Sequence, residues 1–168
     1  MKKFAPKLAE ILRRNNVLGT VEAEALVRDF TTGDPAQLTY FLLDEALVTK
    51  EDLLRALAEY YQVPYFDVRG YQFNHDILAL FPQDVLVRNA IIPIEFDNAI
   101  LTVVAGQPDL PKLREVLKPF TTDHIEFRVG ITRDIVDEVR AYYETPPTAE
   151  EIDQEEDEDD SSDIVDIV

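Results

Sequence analysis

The chain has 168 residues, 34 Asp and Glu against 16 Lys and Arg, and a formal net charge of −18. The absence of cysteine excludes disulfides and thiolate metal sites, and no apolar run reaches the roughly 20 residues that a helical membrane span needs. Hydrophobic residues make up 46% of the sequence, an ordinary share for a chain that builds a packed interior. The charge is concentrated at one end. Residues 150–168 hold eleven acids and no base, which leaves residues 1–149 with a net of only −7. That balance gives no electrostatic footprint for nucleic acid. Near the start, Lys7, Glu10, Arg13 and Arg14 interrupt any apolar stretch, which is not the pattern of a secretory signal. A cytoplasmic location is the expectation.

In chain order, Phe4, Leu8, Ile11 and Leu12 are spaced for a helix over 4–15, ended by Asn15-Asn16. A second helix is expected over 20–30 with Thr20 as its cap. Thr31-Thr32-Gly33-Asp34-Pro35 breaks the chain, and Asp34 with Pro35 can open a third helix carrying Leu38, Phe41 and Leu42. Thr49 and Asp52 form a variant capping box before a fourth helix with Leu53, Leu54, Leu57 and Tyr61. These helices contain an internal repeat of thirty residues. Lys7-Leu8-Ala9-Glu10-Ile11-Leu12 and Val17-Leu18 return as Gln37-Leu38-Thr39-Tyr40-Phe41-Leu42 and Leu47-Val48. Ala23, Val27 and Phe30 are answered by Leu53, Leu57 and Tyr60. Two copies of one helix-turn-helix unit are implied.

Beyond Val63-Pro64-Tyr65-Phe66-Asp67-Val68 the pattern changes. Short helices are expected near 75–80 and 83–89, then a strand over 90–96 with Pro93 at an edge or a bulge. A tight turn at Asp97-Asn98 and a hairpin partner over 99–105 follow. Leu110–Phe120 reads as a helix, His124–Val129 as a third strand and Thr132–Tyr143 as a closing helix. The expected fold is α+β: a helical subdomain of two repeats over 1–64, then a small three-stranded sheet with helices on one face over 65–145. The acidic tail or linker over 146–168 cannot bury enough apolar surface to order itself. Its last residues, Asp163-Ile164-Val165-Asp166-Ile167-Val168, fit a short docking motif or the start of another element.

No catalytic constellation emerges. The five glycines are too dispersed for a phosphate-cradling loop and no Gly-Lys-Ser/Thr occurs. His75 and His124 are the only histidines and sit apart in polar turns, short of the three or four ligands a metal needs. Neither an enzymatic role nor a cofactor is expected. The aromatic group Tyr60, Tyr61, Tyr65, Phe66, Tyr71 and Phe73 reads as the seam between two subdomains, and Tyr142-Tyr143 as one core and one surface ring.

In order and spacing, several segments resemble the N-terminal, MshEN-type domain of type II secretion and type IV pilus assembly ATPases. They are the doubled skeleton, Tyr61-Gln62-Val63-Pro64-Tyr65-Phe66-Asp67-Val68, Phe81-Pro82, Ala90-Ile91-Ile92-Pro93-Ile94, Val104-Ala105-Gly106-Gln107-Pro108-Asp109, Arg128-Val129, and Asp134-Ile135 through Tyr142-Tyr143. The resemblance covers about residues 5–144 and lacks the ATPase core. It implies a bacterial regulatory or protein-binding domain whose partner belongs to secretion or pilus machinery or its membrane platform. The location implied is cytoplasmic, peripheral at the inner membrane through that partner. Some members bind cyclic di-GMP through two tandem motifs built on Arg, Gly and Gln. Here the Arg positions hold Lys7 and Gln37, the Gly positions hold Ala9, Asn16, Thr39 and Ala46, and the Gln positions hold Phe30 and Tyr60. A Cβ obstructs the close approach of backbone N–H groups to phosphate, and neither Lys nor Gln reproduces a guanidinium fork. These departures argue against cyclic di-GMP. The alternative reading, a cyclic di-GMP sensor, would use Lys7, Leu8, Ile11, Gln37, Leu38 and Phe41.

Overall fold

The computed structural model describes residues 3–30, 33–121 and 124–144. Four helices come first: α1 (Phe4–Arg14), α2 (Thr20–Phe30), α3 (Pro35–Asp44) and α4 (Lys50–Tyr61). They are followed by α5 (His75–Leu78), α6 (Gln83–Asn89), β1 (Ile91–Asp97), β2 (Ile100–Ala105), α7 (Lys112–Leu117), β3 (His124–Val129) and α8 (Thr132–Glu144). This is the expected α+β order. The expectations for the tail, including the Ile-Val pairs, lie outside the described residues. Among the described residues no helix is long and apolar enough to cross a membrane.

The repeat is visible in the backbone as well as in the side chains. Asn16 and Ala46, thirty residues apart, both take left-handed φ values, 63° and 57°. After each, the chain hydrogen-bonds back across the helix end, Val17 N–H to Leu12 O at 2.8 Å and Leu47 N–H to Leu42 O at 3.0 Å. The two copies therefore end their first helices with the same Schellman closure. The caps of the second helices are complementary halves of one device. Thr49 Oγ1 accepts from Asp52 N–H at 3.1 Å, whereas Glu22 Oε1 reaches back to Gly19 N–H at 2.8 Å. Thr20 is thus the first helical residue of α2 rather than its cap. Asp34 caps α3 through Ala36 N–H with Pro35 behind it, as its sequence suggests.

The sheet has the order β1-β2-β3, antiparallel between β1 and β2 and parallel between β2 and β3. Pro93 lies on the edge strand beside a register shift, so it meets both conditions under which a strand tolerates proline. The hairpin turn falls one residue later than expected. Asn98 and Ala99 have φ of 53° and 63°, and two consecutive positive values define a type I′ turn. Residues Leu101–Ala105 of β2 are all buried, so the central strand is covered on both faces and not on one. The expected helix over 110–120 is shorter, with Pro111 at its N-cap and Pro119 just past its C-cap.

Two hydrophobic clusters result. The first joins the buried faces of α1 to α4, and Val129 and Ile131 enter it from the other half. The second gathers the sheet with Leu78, Phe81, Leu86, Leu113, Leu117, Ile135 and Val139. The segment between them is tied down. Phe66 N–H donates to Val129 O and Val129 N–H donates to Pro64 O, both at 2.9 Å, so this link is fastened to the end of β3 by a single parallel bridge at Tyr65.

Candidate functional site: the repeat clefts and the seam

Of the residues that the sensor reading would use, Leu8 and Leu38 are in the floor of the first core, 0% and 1% exposed, and Ile11 joins them at 8%. Lys7 and Gln37 are exposed. Phe41 remains 37% exposed and lies against Phe30, with ring centroids 5.1 Å apart. The three aliphatic side chains thus hold helices together, while the polar ones face solvent.

The two aromatic residues at the positions where the resemblance would place Gln behave alike. Phe30 packs on Phe41, and Tyr60 meets Phe4 edge-on at 5.0 Å and Tyr61 at 4.8 Å. Each ring fills room beside the first helix of a repeat with carbon instead of an amide. Next to Tyr60 remains an open cleft of about 250 Å³ lined by Lys3, Lys7, Tyr60, Tyr61 and Asp109. Burial pushes the Tyr61 hydroxyl far above the usual phenol range, with the Asp109 charge acting in the same direction. Burial and the Asp109 carboxylate also raise Tyr60. Both phenols are held neutral, and Lys3 and Lys7 bring two ammonium groups against the one carboxylate of Asp109.

A second constellation lies at the seam, on residues that the sequence alone does not bring together. Where the halves meet, Asp134 in the first turn of α8 is 6% exposed. Lys50 Nζ stands 2.8 Å from its Oδ2, an ion pair without hydrogen-bond alignment, so charge and not a directed bond neutralises that oxygen. Arg69 Nε stands 3.2 Å from Oδ1, and its two other nitrogens reach Asp137 at 2.9 Å and Glu138 at 3.1 Å. Burial disfavours the Arg69 charge, but these carboxylates outweigh it and raise its pKa. Lys50 also lies 3.6 Å from Asp67. Arg133 completes the seam: it bonds Asp44 at 2.9 and 3.3 Å and lies 4.7 Å from the centre of the Tyr40 ring. The hydrogen bond from Arg133 holds the Asp44 carboxyl below its usual range. The signal in the sequence was a carboxylate on an apolar face, since Asp134 and Glu138 share the helical spacing of Ile131, Ile135, Val139 and Tyr142.

The aromatic group expected at the seam does straddle it. Tyr60, Tyr61 and Tyr65 pack on the first core, and Phe66, Tyr71 and Phe73 on the second. Tyr142 and Tyr143 are both half-buried rather than divided. Tyr143 donates to the Phe81 carbonyl at 2.9 Å, and Tyr142 meets His75. Among the described residues no group of three His, Asp or Glu side chains could hold a metal ion.

The MshEN domain model matches residues 61–149, more than half of the chain. The chain belongs to the MshEN domain family. The match starts at Tyr61, the last residue of α4, so the drifted repeat lies before it. No curated protein matches the sequence of this MshEN domain significantly. Among solved structures, MshE with cdg is similar over 81% of this chain and 98% of its own, with a TM-score of 0.63 at 22% identity. The N-terminal domain of XpsE is similar over 80% of this chain and 92% of its own, with a TM-score of 0.56 at 19% identity. At these identities the likeness is one of fold, and it takes in the helical half that the family model leaves out.

Proposed function

We propose that this MshEN domain is a non-catalytic interaction module of a bacterial secretion or pilus-type assembly. It acts in the cytoplasm, performs no reaction of its own and meets the inner membrane only through a protein partner. The observation that supports this most is the double aromatic filling of the repeat. At both positions where a ligand-binding relative would offer an amide, Phe30 and Tyr60 pack on neighbouring rings, while the apolar skeleton of the helices is kept. The domain has retained what packs and lost what binds a dinucleotide. The test has two arms. Affinity purification of the tagged full chain from its own cytosol and membranes is expected to recover a component of the machinery or its membrane platform. Calorimetry with millimolar cyclic di-GMP is expected to give no heat. Recovery of no such component overturns the interaction reading.

A second reading has one observation in its favour. The cleft of Lys3, Lys7, Tyr60, Tyr61 and Asp109 offers two ammonium groups and two neutral phenols, and MshE has been solved with cdg. On this reading the chain is a cyclic di-GMP sensor in which Lys7 stands in for an arginine and Gln37 and Phe41 contact the second half of the ligand. Saturable heat that disappears in Lys7→Ala would establish it in place of the first.

A further inference from the structure

The two copies of the repeat present equivalent faces, and only one is covered. In the second copy, Thr39 and Leu57 border the seam with Gly130, Ile131 and Thr132, leaving a cavity of only about 10 Å³. On the same face Tyr40 carries Arg133 and Lys50 pairs with Asp134. The link from β3 to α8 and the first turn of α8 thus occupy this face. Thirty residues earlier the corresponding positions are Ala9, Val27, Glu10 and Thr20, and they border an open hollow of about 210 Å³ between α1 and α2. Ala23 and Glu24 line it where the second copy has the buried Leu53 and Leu54, and Pro6 and Arg13 complete the rim.

The exchanges between the copies describe what the open face would take. Leucine and threonine on the floor have become alanine, which leaves space for a large aliphatic side chain. The cation of the covered face, Lys50, is Thr20 here, and Arg13, the cation that does line the hollow, is already engaged by Glu10. Carboxylates stand where the covered face has Tyr40 and Leu54. Glu10 is held by Arg13 at 2.7 Å, and Glu24 has no ion pair among the described residues. Resting on the interaction reading above, we infer that the α1–α2 hollow is the docking face for a basic amphipathic helix of the partner protein. That helix inserts an aliphatic side chain between Ala9 and Ala23 and brings Lys or Arg to Glu24. A helix laid in a groove is an established mode of recognition, and on the covered copy the first turn of α8 already meets this face.

The experiment is an NMR titration of the full chain with a synthetic amphipathic peptide of about 14 residues built from Lys and Leu, and with its Glu/Leu counterpart. The Lys peptide is expected to give saturable amide shifts centred on Ala9, Ala23 and Val27, and the Glu peptide none. Glu24→Lys, an exposed change that leaves the fold intact, is expected to weaken binding at least about tenfold. Ala23→Leu, which fills the hollow, is expected to do the same, with circular dichroism confirming that it folds. If it does not fold, Glu24→Lys alone decides. No saturable shift at millimolar peptide, shifts centred elsewhere, equal response to both peptides, or peptide-independent broadening from self-association would each overturn the assignment. The same variant separates this face from the function above. If wild type and Glu24→Lys recover a machinery component equally, this face falls and the interaction reading stands; if wild type recovers none, the reading itself falls.

Discussion

Ala46 carries a backbone conformation its side chain does not favour. Its φ of 57° is the left-handed value of a Schellman closure, where Asn16 in the first copy is the better-suited residue. Ala99, at 63° in the type I′ turn, is in the same position. Ala46→Gly and Ala99→Gly should each raise stability by about 1 kcal/mol, read as a higher urea midpoint at unchanged slope. Gly130 is the opposite case. A Cβ there would lie 2.8 Å from Val104 Cγ1 and 3.1 Å from the Phe66 carbonyl, a buried branched side chain and a backbone atom that cannot swing aside. Gly130→Ala should cost about 1–3 kcal/mol by the same measurement. Tyr61 adds a pH dependence. Its folded pKa is raised by burial, so its contribution is complete below the phenol's unfolded value of about 10 and is lost as pH rises beyond it. Stability should fall above about pH 10, and Tyr61→Phe should flatten that fall. None of these residue-level demands could be read from composition. A repeat that has drifted in side chains gave no sign that its φ angles had been kept.

Elements were far more legible, because their causes are local. The apolar spacing of Leu8, Ile11 and Leu12, or of Leu53, Leu54 and Leu57, depends only on the helical period. Asp34-Pro35 and Thr49 supply their start signals within three residues. Thr49 Oγ1 satisfies a backbone donor that otherwise has no partner in the first turn of α4, so Thr49→Ala should lower stability by about 1 kcal/mol. Thr49→Ser should retain most of it, and hydrogen exchange should show the loss concentrated at Asp52 N–H. What the sequence could not reveal depended on distant partners. The helix α7 stops short because Pro119 has no N–H to continue it, although Leu110 and Phe120 keep an amphipathic spacing. Coverage of β2 on both faces arises because its partner β3 is parallel and must be reached by a crossover. The candidate residues were legible only in part: the departures at Phe30 and Tyr60 stood in the sequence, but the rings that receive them did not.

At the scale of the whole molecule, the two cores are joined by charge as well as by carbon. Val129 and Ile131 cross into the first core, and Asp134 takes a carboxylate out of water between Lys50 of α4 and Arg69 of the link. Such a site is more expensive to break than to omit, because removing the acid leaves two cations facing each other with only their outer carboxylates, Asp67 for Lys50 and Asp137 and Glu138 for Arg69. Lys50 and Arg69 are 34% and 42% exposed, so solvent relieves part of that cost. Asp134→Ala should therefore lose about 2 kcal/mol, below the range for a fully buried pair. Lys50→Ala should lose less, since Arg69 still neutralises the acid. The loss in Asp134→Ala should persist in 1 M salt, where screening acts mainly on exposed pairs. Removing the exposed Asp44 from Arg133 should have a small effect that the same salt abolishes. Urea unfolding at low and high salt measures all three. If Asp134 only decorates the surface, its loss will shrink with salt as that of Asp44 does. If it fixes how α8 seats on α4, the loss remains, and tyrosine fluorescence from the two cores, coincident in the wild type, reports separate midpoints in Asp134→Ala.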